Sequence, residues 1–368
     1  MTNQRIDRVR EKLVEHKLDA LFIISPETAS PVNRRYLSGF TGTSAYLLIT
    51  PDDAVLATDF RYWDQAERQA PGCRLLRAVG GFDKWLPDIL EGLGGKRVGF
   101  EGAHVTYQTH STMRKTIQKL PEAERPKLVA TLNLVEGLRE IKEPAEIAAI
   151  QAAIDIGDAA FADVAKRIEP GWTEKTVAWE IEKYVRENGG DAVSFDTIVG
   201  GGPWGAMPHA YPRDKELKKN EGIVIDMGVA LDGYMSDLTR TIFLGEPDDT
   251  FKKVYDIVLA AQQTAIELVE EGMTGEDAHM LAHNVIEEAG YGDDFGHGLG
   301  HGVGMQVHEG PRVAKTSKDK LRNGMVFTIE PGIYLTEWGG VRIEDIVVME
   351  NGKARVMSHA PKLTTADL

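Results

Sequence analysis

The sequence predicts two domains, an α/β domain over 1–133 followed by an α+β domain over 134–368. Strand-like and helical patterns alternate over the first ~130 residues, as α/β domains require. From about Leu134 onward, long helical patterns and strand-rich stretches segregate instead. A chain of 368 residues also holds enough material for two or three cores.

In the first domain, residues 3–17 read as an amphipathic helix with Ile6, Val9, Leu13 and Val14 on one face. Asp19–Ser25 is a short buried-strand candidate. Ser44–Asp59 reads as a hairpin around a Pro-Asp-Asp turn, followed by a helix near 61–70. Further strands are expected at Arg74–Val79, Arg97–Glu101 and Lys127–Leu132, separated by helices at 83–91 and 106–119. The first strand is not followed by a GxGxxG turn, so a dinucleotide role has little support.

In the second domain, helices are expected at 143–168 and 173–188, split by Pro170-Gly171, with Thr173 as an N-cap. Strands dominate Ser194–Leu244, two more helices cover 250–271 and 274–289, and the tail Asn323–Val356 is strand-rich. Two helix pairs, each followed by strands, hint at an internal two-fold repeat.

Lys plus Arg number 42 and Asp plus Glu 57, a net charge of −15. No basic run offsets this, so nucleic-acid binding is not expected. The single cysteine, Cys73, excludes an intrachain disulfide and a Cys-rich zinc site. The charged N-terminus lacks a signal-peptide core, and no run approaches the ~20 apolar residues that span a bilayer. A cytoplasmic protein without membrane attachment is the expectation.

The chemistry concentrates in the second domain. IVIDMGVALDGYMSDLTRT, 223–241, places Asp226 and Asp237 eleven residues apart in strand-like sequence with a bend at Gly233-Tyr234. A buried ionised carboxylate is costly unless neutralised, and two on one hairpin repel. A bound cation resolves both problems, whereas either aspartate alone reads equally well as a turn cap. GHGLGHGVGMQVHEGP, 296–311, carries His297, His301 and His308 among six glycines, too many for a helix. Histidines are neutral ligands or acid–base groups near pH 7. Glu330 ends the apolar run VFTIE before Pro331-Gly332, and Glu344 is expected inside a central strand, VRIEDIVVME. By period two Arg342 and Glu344 share a face, so Arg342 can brace Glu344 or a neighbouring carboxylate. Strand-borne Asp226, Asp237, Glu330 and Glu344 with loop-borne His301 give four carboxylates and one imidazole, a formal charge of −4 that two divalent cations cancel. The oxygen-rich set favours Mn²⁺, with Co²⁺ or Zn²⁺ as alternatives.

These motifs, in this order, resemble those of the metal-dependent Xaa-Pro peptidases, aminopeptidase P and prolidase, of the pita-bread family shared with methionine aminopeptidase and creatinase. The resemblance implies an N-terminal creatinase-like domain and a C-terminal pita-bread catalytic domain. It implies that Asp226 binds one metal, that Asp237 and Glu344 bridge both, and that His301 and Glu330 hold the other. His209, in GGPWGAMPHAYP, and His308, in VHEGP, are implied to hydrogen-bond the substrate carbonyl or the tetrahedral intermediate, with Glu330 moving a proton to the leaving nitrogen. His297 and Arg342 are assigned supporting places behind the ligands. Trp204 and Gln306 depart from the family's usual residues and leave side-chain preference open.

The expected reaction is hydrolysis of the bond between an N-terminal residue and a following proline, on short peptides with proline second. YLSGFTGTSAYLL and TDFRYWDQA favour the aminopeptidase P branch over prolidase. A strict dipeptidase needs a cation for the proline carboxylate. Arg342 is expected to be committed to its own strand face, while Arg213 and Arg312 are read as loop residues. A metal-free amidine hydrolase and a catalytically silent binding protein both predict ligand loss, which the sequence does not show. A homodimer is expected from the resemblance.

Overall fold

The computed structural model describes residues 2–362. The chain divides into two compact units, one ending at Arg139 and the other beginning at Glu140. The short helix Glu136–Arg139 closes the first unit, with Val135 and Leu138 buried beside it.

The first unit is built on a six-stranded mixed sheet. Its order is Arg74–Arg77, Ala54–Thr58, Ala45–Ile49, Ala20–Ser25, Arg97–Glu101, Lys127–Thr131. The hairpin is antiparallel, and the outer strands on either side run parallel to their neighbours, as β–α–β connections dictate. Helix Thr2–Glu15 buries Ile6, Val9 and Leu13, but Val14, turned about 100° from Leu13, is 80% exposed. A helix the sequence reading missed, Val32–Ser38, buries the polar Asn33 and Arg34 beside Tyr36 and Leu37.

The second unit consists of two similar halves. Helices Pro144–Ala165 and Glu174–Glu187 share a core with the three strands Ile198–Gly201, Glu221–Met227 and Leu238–Leu244. Helices Asp249–Leu268 and Gly275–Glu288 share a second core with a five-stranded sheet that includes Gly300–Gly302, Val326–Ile329 and Asp345–Glu350. Helix entry is specified locally: Thr173, Asp248 and Thr274 each accept a backbone N–H as N-caps.

Three details correct the sequence reading of the site. Of the four carboxylates, Asp226 alone lies within a strand. Asp237 sits one residue before Leu238–Leu244, and Glu330 one residue after Val326–Ile329. Glu344 occupies a break between Gly339–Arg342 and Asp345–Glu350, where the chain changes pairing partners. Strand ends free these carboxylates from the packed sheet faces and let them turn toward one another. His301 lies in the short strand Gly300–Gly302 beside a bulge, not in a loop.

Candidate metal centre

Antiparallel pairing sets the first two carboxylates side by side: Leu238 faces Met227 and Thr239 faces Asp226 across the ladder. The second half brings its residues to the same place. The backbone N–H of Glu344 donates to Thr239 O at 3.1 Å, which ties the strand break to the first sheet. Arg342 and Thr241 exchange two further bonds of 3.0 and 3.1 Å.

Asp226, Asp237, His301, Glu330 and Glu344 converge on the floor of one cavity of about 680 Å³. Ligand atoms of Asp237, His301 and Glu344 all lie within 4.8 Å of one another. His301 Nε2 is 3.3 Å from Glu330 Oε1 and 3.6 Å from Asp237 Oδ2. Thr328 Oγ1 donates to Glu330 at 3.0 Å and accepts the His301 N–H at 3.1 Å, fixing both. Thr239 Oγ1 donates to Glu344 Oε2 at 2.6 Å. Arg342 Nη2 donates to Asp226 Oδ2 at 2.6 Å, so the carboxylate it braces is Asp226. Its other nitrogens reach Tyr334 Oη at 2.8 Å and Thr239 Oγ1 at 3.0 Å. His297 meets the same Tyr334 hydroxyl at 2.9 Å and also lines the cavity.

Two buried oxygens here, Asp226 Oδ1 and Glu344 Oε1, have no hydrogen-bond partner among the described residues. Burial pushes Asp237 and Glu344 well above the ordinary carboxylate range, and the charges of neighbouring carboxylates push them further. Burial raises Asp226 too, against the pull of Arg342. Glu330 goes the other way. Burial opposes its ionisation, but contact with His301 holds it down to about 2. Burial would lower His301, yet Glu330 raises it. One cation, Arg342, therefore serves several crowded acids. Orphaned carboxylate oxygens and one imidazole supply the hard and borderline donors that divalent ions take, so the residues fit such ions.

His209 and His308 line the same cavity, both exposed. The His308 ring lies 4.2 Å from that of His301, centroid to centroid. Burial, then the charge of His301, lowers its pKa. Sequence reasoning missed Tyr334 and Thr328, which look like ordinary strand residues, and the apolar wall of Phe195, Ile198, Tyr211 and Pro212. Neither Trp204 nor Gln306 lines the cavity. The Trp204 indole instead donates to Tyr211 O at 3.0 Å and stacks under Arg213, 3.9 Å from its ring. Arg213 is held by the buried Glu174 at 2.8 and 2.9 Å. Arg312 lies in strand Glu309–Val313 and lines the cavity, and its guanidinium pairs with none of the described residues.

A fold of two such halves with a carboxylate–histidine floor defines a pita-bread metallohydrolase. The pattern of Metallopeptidase family M24 matches residues 148–351, and that of the Creatinase/Prolidase N-terminal domain matches 5–141. The chain belongs to metallopeptidase family M24, with a creatinase/prolidase-type N-terminal domain, and is an enzyme that works with divalent metal. It is 40% identical over 359 residues to the uncharacterized peptidase YqhT of Bacillus subtilis, covering 97% of this chain and 98% of that one. Among solved structures it is similar to an Xaa-Pro dipeptidase from Bacillus anthracis, with a TM-score of 0.93, 36% identity and 99% of both chains covered. It is also similar to an X-Pro aminopeptidase from Thermotoga maritima, with a TM-score of 0.88, 34% identity, and 97% and 98% covered.

Proposed function

We propose that this chain is a dinuclear metal-dependent exopeptidase that hydrolyses the bond between an N-terminal residue and a following proline, with free Xaa-Pro dipeptides among its substrates. The observation that carries this is the convergence of five donor side chains around two orphaned carboxylate oxygens. Asp226 would hold one ion, His301 and Glu330 the other, and Asp237 and Glu344 both. Bound there, two divalent ions would supply Lewis acidity for the scissile carbonyl and a water of lowered pKa near neutral pH. Mn²⁺ as the resident ion, a homodimer and a cytoplasmic location belong to the same proposal. They rest on the ligand chemistry and on the resemblance.

The remaining steps fall to the protein. His308 and His209, exposed on the cavity wall, donate to the carbonyl oxygen as charge develops on it. Glu330, on the cavity floor beside His301, is placed to take up a proton and pass it to the leaving proline nitrogen. Proline lacks an N–H, so the scissile bond gives most peptidases nothing to hold on that side. The Phe195, Ile198 and Pro212 wall supplies apolar contact for its ring instead. His308→Ala should keep its metal but lose turnover by roughly 10²-fold or more. His301→Ala should lose metal as well. Elemental analysis and kcat on both variants check this; equal metal loss in the two would reassign His308 as a ligand.

Arg312 bears on chain length. Arg342 and Arg213 are committed to Asp226 and Glu174, whereas the Arg312 guanidinium is available at the cavity to pair with the free carboxylate of a dipeptide. This supports cleavage of Ala-Pro beside longer peptides. The likeness to the Thermotoga maritima X-Pro aminopeptidase supports the second reading, release of the first residue from X-Pro-Y chains. Comparing kcat/KM for Ala-Pro and Ala-Pro-Ala decides between them. Under the first reading Arg312→Ala should cost Ala-Pro at least tenfold, ~1.4 kcal/mol, while sparing Ala-Pro-Ala. Equal losses on both substrates would remove Arg312 from carboxylate recognition.

A further inference from the structure

The loop 303–308 carries His308 from strand Gly300–Gly302 to strand Glu309–Val313, where Gly302 pairs with Glu309 past the bulge. Among the described residues no hydrogen bond holds the His308 ring, and its ring contact is with His301. Its place in the cavity is therefore set by the backbone on either side of it. We propose that the ion pair of Lys142 with Glu309 positions His308; the proposal rests on the reading of His308 as a donor to the scissile carbonyl oxygen.

Glu309 is next to His308 in the chain but faces away from the cavity. His308 lines the cavity. The Glu309 side chain is only 6% exposed and pairs with Lys142, itself 1% exposed, Nζ to Oε1 at 2.9 Å. The other carboxylate oxygen accepts the Gln306 N–H at 3.3 Å, so the carboxylate closes the loop on itself. Within the turn, Gly304 N–H donates to Gln306 O at 3.0 Å, and Gly304 O accepts from Met235 N–H at 2.8 Å. A Cβ at position 304 would run into the Glu309 carboxylate, so glycine there is what admits it.

Lys142 supplies the fixed point. Its N–H donates to Gly324 O at 2.8 Å. It stands just ahead of helix Pro144–Ala165, whose entry is closed by reciprocal bonds between Glu143 and Glu146. The neighbouring acid Glu140 has its own cation, Arg322, at 3.4 Å. A buried carboxylate that loses its cation is driven toward water. Glu309 cannot turn outward without releasing the Gln306 N–H and rotating the backbone that aims His308.

The test is a double-mutant cycle on the metal-loaded enzyme with Ala-Pro and Ala-Pro-Ala as substrates. Glu309→Gln should lower kcat by roughly 10²-fold at unchanged KM and metal content, the order of loss that a group misplaced by about 1 Å brings. In a His308→Ala background the same change should add about twofold at most, because the group it positions is already gone. A role in stability alone predicts losses that multiply. Lys142→Met/Glu309→Gln leaves no buried ion, so it provides a folded protein where the single change does not; kcat should stay low, since the tie to the helix head is gone. Hydrogen exchange in 303–309, read without substrate, should quicken in Glu309→Gln while helix Pro144–Ala165 keeps its protection. Unchanged exchange overturns the proposal, as do multiplying losses. If His308→Ala costs nothing while the loop loosens as expected, the role of His308 in the reaction falls and the pair's hold on the loop stands.

Discussion

Asp237→Asn is expected to abolish turnover and, at the same time, raise the melting temperature of the metal-free protein. Asp237 is 5% exposed and is pressed by Glu344, Asp226 and Glu330. Without cations, at neutral pH, the fold carries that repulsion with Arg342 as its counter-charge. With its pKa raised in the fold, Asp237 costs stability at neutral pH either as a buried charge or as the proton taken up to relieve it, and an amide of the same shape avoids both. The same change removes a ligand that the proposal assigns to both ions. Metal at about a hundred times its Kd should stabilise wild type by about 2.7 kcal/mol, roughly 5–10 °C for a unit of this size. The variant should lose most of that shift. Thermal melts with and without chelator, alongside elemental analysis, measure both effects. A variant that keeps the wild-type metal-induced shift and its activity would refute the ligand assignment.

Much of this site was legible because its residues are few, polar and embedded in apolar strand sequence. Asp226 after Ile223-Val224-Ile225 and Glu330 after Val326–Ile329 stand out on those grounds. What the sequence hides is tertiary. Glu344 reads as mid-strand, because VRIEDIVVME is rich in Val and Ile and has no Gly or Pro to mark a break. The break exists because the chain leaves the Gly332–Leu335 partner for Val326–Ile329, a choice made by residues distant in sequence. Tyr334 reads as a core residue until Arg342 and His297 are found on its hydroxyl. The hairpin periodicity shows that Arg342 faces the acids, but only the cross-strand geometry selects Asp226 over Glu344. Arg213 and Arg312 look equivalent as residues. They separate once Glu174, 39 positions from Arg213, proves to hold one and not the other. Trp204, which departs from the family's usual residue, does not line the cavity and stacks under Arg213 instead.

Asp345→Ala should cost the second unit about 3–5 kcal/mol although it removes no assigned ligand. Asp345 Oδ1 pairs with Arg240 Nη2 at 2.7 Å, with side chains only 1% and 2% exposed. Its other oxygen accepts from Gln262 at 2.9 Å and meets Lys362 at 2.5 Å. Arg240 also donates to Thr239 O at 3.0 Å and to Glu344 O. The pair thus clamps the backbone of the residue that anchors Glu344 and of Glu344 itself. Deleting the carboxylate leaves a guanidinium buried without its counter-charge, which is where the cost arises. Urea unfolding of the metal-loaded enzyme should show a lower midpoint, with activity falling in step with the folded fraction. Arg240→Met combined with Asp345→Leu separates charge from shape: an apolar pair of similar volume leaves no buried guanidinium, and the part-exposed Lys362 can turn to water, so much of the stability should return. It should not recover full activity, because the Arg240 bonds to Thr239 O and Glu344 O are gone. If Asp345→Ala moves stability by less than about 1 kcal/mol, the orientation of Glu344 rests on Thr239 instead.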